Sequence, residues 1–278
     1  MKRLLSIELQ KLFKNRSSKI LILAYFILLS LIALIASLKF NIGSFEINIA
    51  EQGIFNFPYI WHFNTYIASI LKLFLAIVIV SMMANEYSYG TLKQNLIDGM
   101  SKKEFILSKF YTILLFAFTS TIFIFVLSLI LGYTFSSYDE FSIVVTEMEY
   151  LFAYFVKLVG FFSFCLFLGV LIKRSAFALG FLMIQYIGER VTFGILKKHF
   201  LSDKLANDLF DLFPLEAMSN LIKEPFTRLS AISNIETAIG GEKVWRFYGV
   251  HFGEVSIVLV WTFIFILTSF YILKKRDL

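Results

Sequence analysis

The chain has 278 residues, of which 58% are hydrophobic and 17% charged, with a mean hydropathy of +0.77. That leaves too little polar surface to wrap a soluble core of this size, so the composition excludes an ordinary soluble domain and points to a bilayer. A single cysteine, Cys165, excludes an intrachain disulfide, and the net charge of +6 reads as membrane topology rather than nucleic-acid binding once the signs are mapped along the chain.

Residues 1–18 carry Lys2, Arg3, Lys11, Lys14 and Arg16, with Leu5, Leu9, Leu12 and Phe13 at helical spacing. This predicts an amphipathic elbow helix lying in the interface; the plainer alternative is a basic anchor that only orients the first span. Residues 20–38 are uninterruptedly apolar, about 19 residues, enough for a hydrocarbon core of ~30 Å and too long for a signal-peptide core. Residues 39–64 are polar, and Trp61 reads as an aromatic-belt residue entering the second span, which runs to about residue 84 and contains Lys72.

A charged island follows at 84–109. Thr91 with Gln94 fits a capping box ahead of a short helix ending at Asp98-Gly99, and Ser101 with Glu104 fits a second box that starts the third span. The third span covers about 111–132, and an acidic loop with Asp139, Glu140, Glu147 and Glu149 leads to a fourth at 150–172 that contains Lys157 and ends at Lys173-Arg174. The fifth run is only about 12 residues before Gly188-Glu189-Arg190 interrupts it, too short to span alone. Continuation to Leu196 is the expectation, and a re-entrant half-helix is the alternative.

Residues 197–254 predict short helices in an external subdomain. Leu201, Leu205, Leu209 and Leu212 form a stripe closed by Pro214, Ser233 with Glu236 fits another capping box, and Gly240-Gly241 and the GxxxG at Gly249 and Gly253 punctuate its end. A last span, 255–273, is closed by Lys274-Lys275-Arg276. His62, His199 and His251 have no metal-ligand spacing and read as ordinary interfacial or loop histidines. With six spans and both termini inside, the inner segments hold fifteen Lys and Arg against five acids, and the outer loops nine against fifteen, as the positive-inside rule requires.

The chain contains no P-loop, HExxH helix or GxSxG elbow, so an enzyme acting alone is not expected. Its intramembrane charges share a level instead. At 1.5 Å per residue from the inner ends, Lys72 lies ~20 Å up, Lys157 ~24 Å, Glu189 ~21 Å and Arg190 ~22 Å. Two readings stay open: side chains reaching outward with a structural ion pair at Glu189, or a polar gate in a pathway for an anionic or zwitterionic passenger.

The plan as a whole resembles the permease subunits of the type II ABC exporter family: a basic elbow at MKRLLSIELQKLFKNR, six spans and a long external segment before the sixth. The run Glu86-Tyr87-Ser88-Tyr89-Gly90-Thr91-Leu92-Lys93 is similar to that family's acidic residue and Gly-Thr-Leu after the second span. The resemblance implies an all-α integral membrane fold with a single permease domain over 1–278, a cytoplasmic coupling segment at 85–109 and an external helical insertion at 197–254. It also implies a cytoplasmic ATPase partner that binds ATP and Mg, no cofactor on this chain, a second permease chain, and an inner-membrane location in contact with lipid. Glu86, Tyr89, Gly90, Thr91, Leu92 and Lys93 become the expected coupling residues. Two other classes remain: a force-transmitting or sensor complex, and an intramembrane hydrolase using Glu189 with His199 or His251.

Overall fold

A computed structural model of the chain describes residues 2–42, 45–48, 53–200, 202–228 and 248–276. Helix α1 (Lys2–Lys14) leads through Asn15 into α2 (Arg16–Ser37), where the Asn15 side chain accepts from the Ser18 N–H and caps the second helix. Strands β1 (Lys39–Ile42) and β2 (Phe45–Asn48) form an antiparallel hairpin, with Lys39 opposite Asn48, in a segment read from sequence only as a loop. Then come α3 (Tyr59–Ser88), α4 (Thr91–Ile97), α5 (Lys102–Phe135) and α6 (Phe141–Val145). They are followed by α7 (Glu149–Ile172), α8 (Ser175–His199), α9 (Asp203–Phe210), α10 (Pro214–Asn220) and α11 (Phe252–Lys275).

Six helices among the described residues are long and apolar enough to cross a membrane. The fold is an all-α, membrane-type bundle apart from the small hairpin. Helix α7 is its axis: it packs on α3, α5, α8 and α11, and its side chains are buried on nearly every face. Its glycines set how close its neighbours come. A Cβ on Gly160 would lie 2.7 Å from the Val258 side chain of α11, and one on Gly169 would lie 2.9 Å from Met83 Cβ of α3. Around this axis α2, α8 and α11 show Ile20, Ile27, Phe177, Ile184, Val191, Val260 and Phe263 to the outside. Such a surface is an aggregation liability in water and an ordinary face in lipid.

The bundle has two ends. At one, α1 packs on α5, and the start of α5 meets the chain's C-terminal region, where Lys102 donates to the carbonyls of Lys274 and Arg276. Arg276 in turn donates to the Leu171 carbonyl and to the Tyr87 hydroxyl, so the last described residue covers the end of α7. We call this the elbow end, and both terminal regions lie there.

Helix α8 is continuous for 25 residues through Gly188-Glu189-Arg190, the expected continuation of the fifth span, and it passes Leu196 to end at His199. Other expectations from sequence change. Trp61 is fully buried, its indole N–H donating to the Val144 carbonyl at 2.8 Å, and so it is not a belt residue. The inward face of α9 consists of Ala206 and Phe210, while Leu205, Leu209 and Leu212 are exposed. The predicted leucine stripe is therefore the outer face, because Phe210 stacks on Phe193 of α8 and turns the helix over. Leu201, the Ser233 and Glu236 box and Gly240-Gly241 lie outside the described residues.

Gly160→Ala is expected to cost about 1–3 kcal/mol by overpacking the α7–α11 contact. Gly188→Ala, with nothing within 4 Å of the new methyl group, is expected to be neutral or to gain up to about 1 kcal/mol. Thermal unfolding of both variants in detergent checks the contrast.

Candidate functional site at the elbow end

The second span ends in a turn built by two left-handed glycines. Gly90 (φ 68°) precedes α4 and Gly99 (φ 95°) follows it, so the seven-residue helix is set off from α3 and α5 by positions that strain any side chain. The Ser101 and Glu104 capping box forms as expected and starts α5. The Thr91 and Gln94 box does not form. Gly90 occupies the N-cap position, Gln94 donates to Asp98, and Thr91 Oγ1 donates instead to Glu86.

That diversion identifies the hub of the site. Glu86, in the last turn of α3, accepts from Thr91 and more distantly from Asn95 of α4 at 3.5 Å. It also accepts from Lys109 of α5, and from Lys11 of α1 at 2.8 Å. Lys109 donates to Glu8 of α1 as well, and Lys11 lies 3.4 Å from the same carboxylate. Glu8, Glu86 and Lys109 are all buried, at 3%, 3% and 0% exposure. Two carboxylates and two ammonium groups thus close a balanced network that joins four elements: the elbow, the end of span two, the short helix and the start of span three. Burial alone would lower the Lys11 ammonium pKa, but the Glu8 carboxylate, with help from Glu86, outweighs burial and holds it above its ordinary value.

The expected coupling residues divide by face. Glu86 and Leu92 are buried and Thr91 is half-buried, all turned toward the bundle; Tyr89, Gly90 and Lys93 are exposed. Ile97 joins them on the outer face, so Tyr89 and Ile97 are two large apolar side chains presented to the surroundings at 74% and 70% exposure. Leu92 at 2% is what fixes α4 to the bundle.

The intramembrane charges meet around a different object. Helix α10 turns back into the bundle, with Leu215, Ala217 and Met218 buried. Glu189 accepts from the backbone N–H groups of Leu215 and Glu216 at 3.2 and 3.1 Å, a carboxylate at the N-terminus of α10 supplied by α8. Lys157 donates to the Ser219 and Ile222 carbonyls at its other end, at 3.3 and 3.5 Å. A negative group at the N-terminus and a positive one at the C-terminus match the helix dipole at both ends. Arg190 pairs with Glu216 at 2.8 Å. Lys72 lies apart from these three contacts, its ammonium 4.7 Å from the Phe161 ring centroid, one turn of α7 below Lys157.

One cluster escaped the sequence reading. Arg228 grips Glu147 with two bonds of 2.9 and 2.7 Å and meets His62 Nδ1 at 3.1 Å. His62 is fully buried rather than interfacial, stacked on Tyr150 at 4.2 Å, with Nε2 2.9 Å from the Lys223 carbonyl. A ring with a carbonyl at one nitrogen and a guanidinium at the other donates from Nε2 and accepts at Nδ1, so it is neutral. The one sequence hint was Glu147, and its positive φ of 62° is visible only in the fold.

Among known families, a model for proteins of unknown function, DUF2705, matches residues 21–193, more than half of the chain. The chain belongs to the DUF2705 family. The matched stretch holds Glu86, α4, Lys109, Lys157 and Glu189, while Glu8 and Lys11 precede it. No curated protein matches the chain.

Lys109→Met is expected to lower stability by about 3–5 kcal/mol, because it leaves Glu8 and Glu86 buried against each other with Lys11 as their remaining cation. Lys93→Ala, on the exposed side of α4, is expected to stay within about 0.5 kcal/mol. Denaturation followed by tryptophan fluorescence measures both.

Proposed function

We propose that this DUF2705 chain is the permease subunit of an ATP-driven exporter of the type II ABC plan. In this reading it works as a dimer with separate cytoplasmic ATPases and moves an amphipathic, peptide or lipid-like substrate outward by alternating access. The elbow end faces the cytoplasm of a cell whose inner membrane it spans, and ATP and Mg bind on the partner. The observation that carries the reading is the Glu86 hub. A short helix that receives a push must pass it to the spans rather than swing on its glycines, and Glu86 supplies that connection by holding Thr91 and Asn95 while Lys109 and Lys11 hold Glu86. Displacing α4 then loads α1, α3 and α5 together.

The partner's surface falls on the outer side of α4, at Tyr89, Lys93 and Ile97, while Thr91, Leu92 and Glu86 transmit from within. The α10 clamp supports an outer gate: withdrawing α10 would free Glu189 and Lys157 and open a polar layer above Lys72. The hydrolase alternative gains nothing from Glu189, whose oxygens are already engaged by two backbone N–H groups and by Gln185. A force-transmitting complex would use the same hub, and it is separated from an exporter by whether any passenger alters hydrolysis.

Affinity purification of the full chain from membranes in mild detergent is expected to bring down an ABC ATPase. The double variant Tyr89→Asp, Ile97→Asp is expected to abolish that capture with stability unchanged to about 0.5 kcal/mol, since both side chains are exposed. Absence of an ATPase from the wild-type preparation, or undiminished capture by the variant, overturns the proposal. Substitutions at Thr91 and Leu92 are poor probes of docking, because both side chains are turned inward.

A further inference from the structure

A cavity of about 530 Å³ opens at the elbow end between α1, the first turn of α2 and the last turns of α3. Its walls include Lys14, Asn15, Ser18, Asn85, Glu86 and Tyr89, over an apolar floor of Leu12 and Met82. Ser18 is only 3% exposed, yet among the described residues its hydroxyl has no hydrogen-bond partner. Among the described residues the Asn85 amide also lines the cavity without a side-chain partner, and Lys14 makes no ion pair. The hydroxyl of this otherwise buried residue is reached from the cavity, so it is a donor open to a ligand acceptor there.

The polarity of the walls selects the ligand. The groups left free are mostly donors: the Ser18 hydroxyl, the amides of Asn15 and Asn85 and the Lys14 ammonium, beside the start of the 22-residue helix α2, whose Ser18 N–H is already capped by Asn15. The one acid in the wall, Glu86, has its carboxylate spent on Lys11, Lys109 and Thr91. A helix N-terminus beside an ammonium and free hydroxyl and amide donors favours a phosphate. Position selects the carrier. Phe13 of the elbow is exposed next to Lys14, and the outer face of α2, opposite Ser18, is apolar from its first turns on, with Ile20, Leu23 and Ile27 exposed. The cavity therefore lies at the level where α2 enters lipid, which is the level of a phospholipid headgroup.

We infer that this cavity is a binding site for the phosphate of an anionic phospholipid in the leaflet that meets the elbow end. The inference goes beyond the permease reading and needs no ATPase. Because Glu86 forms part of the wall, an occupied site would wedge the elbow against the transmission hub.

Native mass spectrometry of the full chain in detergent, titrated with phosphatidylglycerol, phosphatidylcholine or inorganic phosphate, tests it. Phosphatidylglycerol is expected to bind at least about tenfold more tightly than phosphatidylcholine, and the double variant Ser18→Ala, Asn85→Leu to lose about tenfold in affinity for it. Lys14→Glu, at an exposed position that leaves the fold intact, is expected to weaken it in the same direction and covers the event that the double variant misfolds. Equal binding of the two lipids, or Lys14→Glu without effect, overturns the site. Millimolar phosphate that binds and displaces phosphatidylglycerol overturns the lipid as its occupant.

Discussion

Everything at the elbow end depends on the impossibility of burying a lone carboxylate. Glu86 sits at 3% exposure where α3 runs out, and an ionised carboxylate there demands partners. It draws them from three directions: Lys11 from the elbow, Lys109 from the third span, and Thr91 and Asn95 from the short helix. Such networks add little net stability over an apolar core of the same shape, since desolvation consumes most of the Coulomb attraction. What they provide is a single permitted arrangement, because any shift that separates one charge from the others is costly. The glycines at 90 and 99 leave α4 free to pivot, and the charges remove that freedom.

The two polar constructions of the bundle solve the same problem differently. At the elbow end charges are paired with charges. In the outer half Glu189 and Lys157 are paired with the ends of a helix, so full charges meet partial ones, while the neighbouring Arg190 and Glu216 pair directly. The α7 glycines lie between the two constructions and let α11 and α3 approach closely, at Val258 and Met83. Lys72 stands outside both, with an aromatic face as its partner.

How much of this was legible follows from which signals are local. Apolar run length predicted the six spans, and the Ser101 and Glu104 spacing predicted the start of α5, because both depend on residues within a few turns. The continuous fifth span was legible from the length of apolar run on both sides of its charged pair, but the use of Glu189 inside it was not, because its partners lie 26 and 27 positions away. Glu8 and Lys11 were hidden by the amphipathic reading of α1, which sends charges to solvent by default. They occupy the inward face beside Leu12, and Phe13 of the apolar stripe points away. The Arg228 cluster joins side chains 81 and 166 positions apart, and no local pattern records such a distance. Thr91 shows the general case: its spacing to Gln94 satisfied the capping rule, and a buried carboxylate five residues back competed successfully for its hydroxyl.

The clamp on α10 also bears on the order of assembly. Residues 214–222 follow α7 and α8 in the chain, and until that segment docks Lys157 and Glu189 are each a charge without these partners. The bundle can close its outer half only when a later segment folds back between helices already in place. The polarity of that segment is then checked as it docks: inserted backwards, α10 would bring its carbonyl end to Glu189 and its N–H end to Lys157, and both contacts would repel. The two residues thus fix the direction in which α10 lies in the bundle.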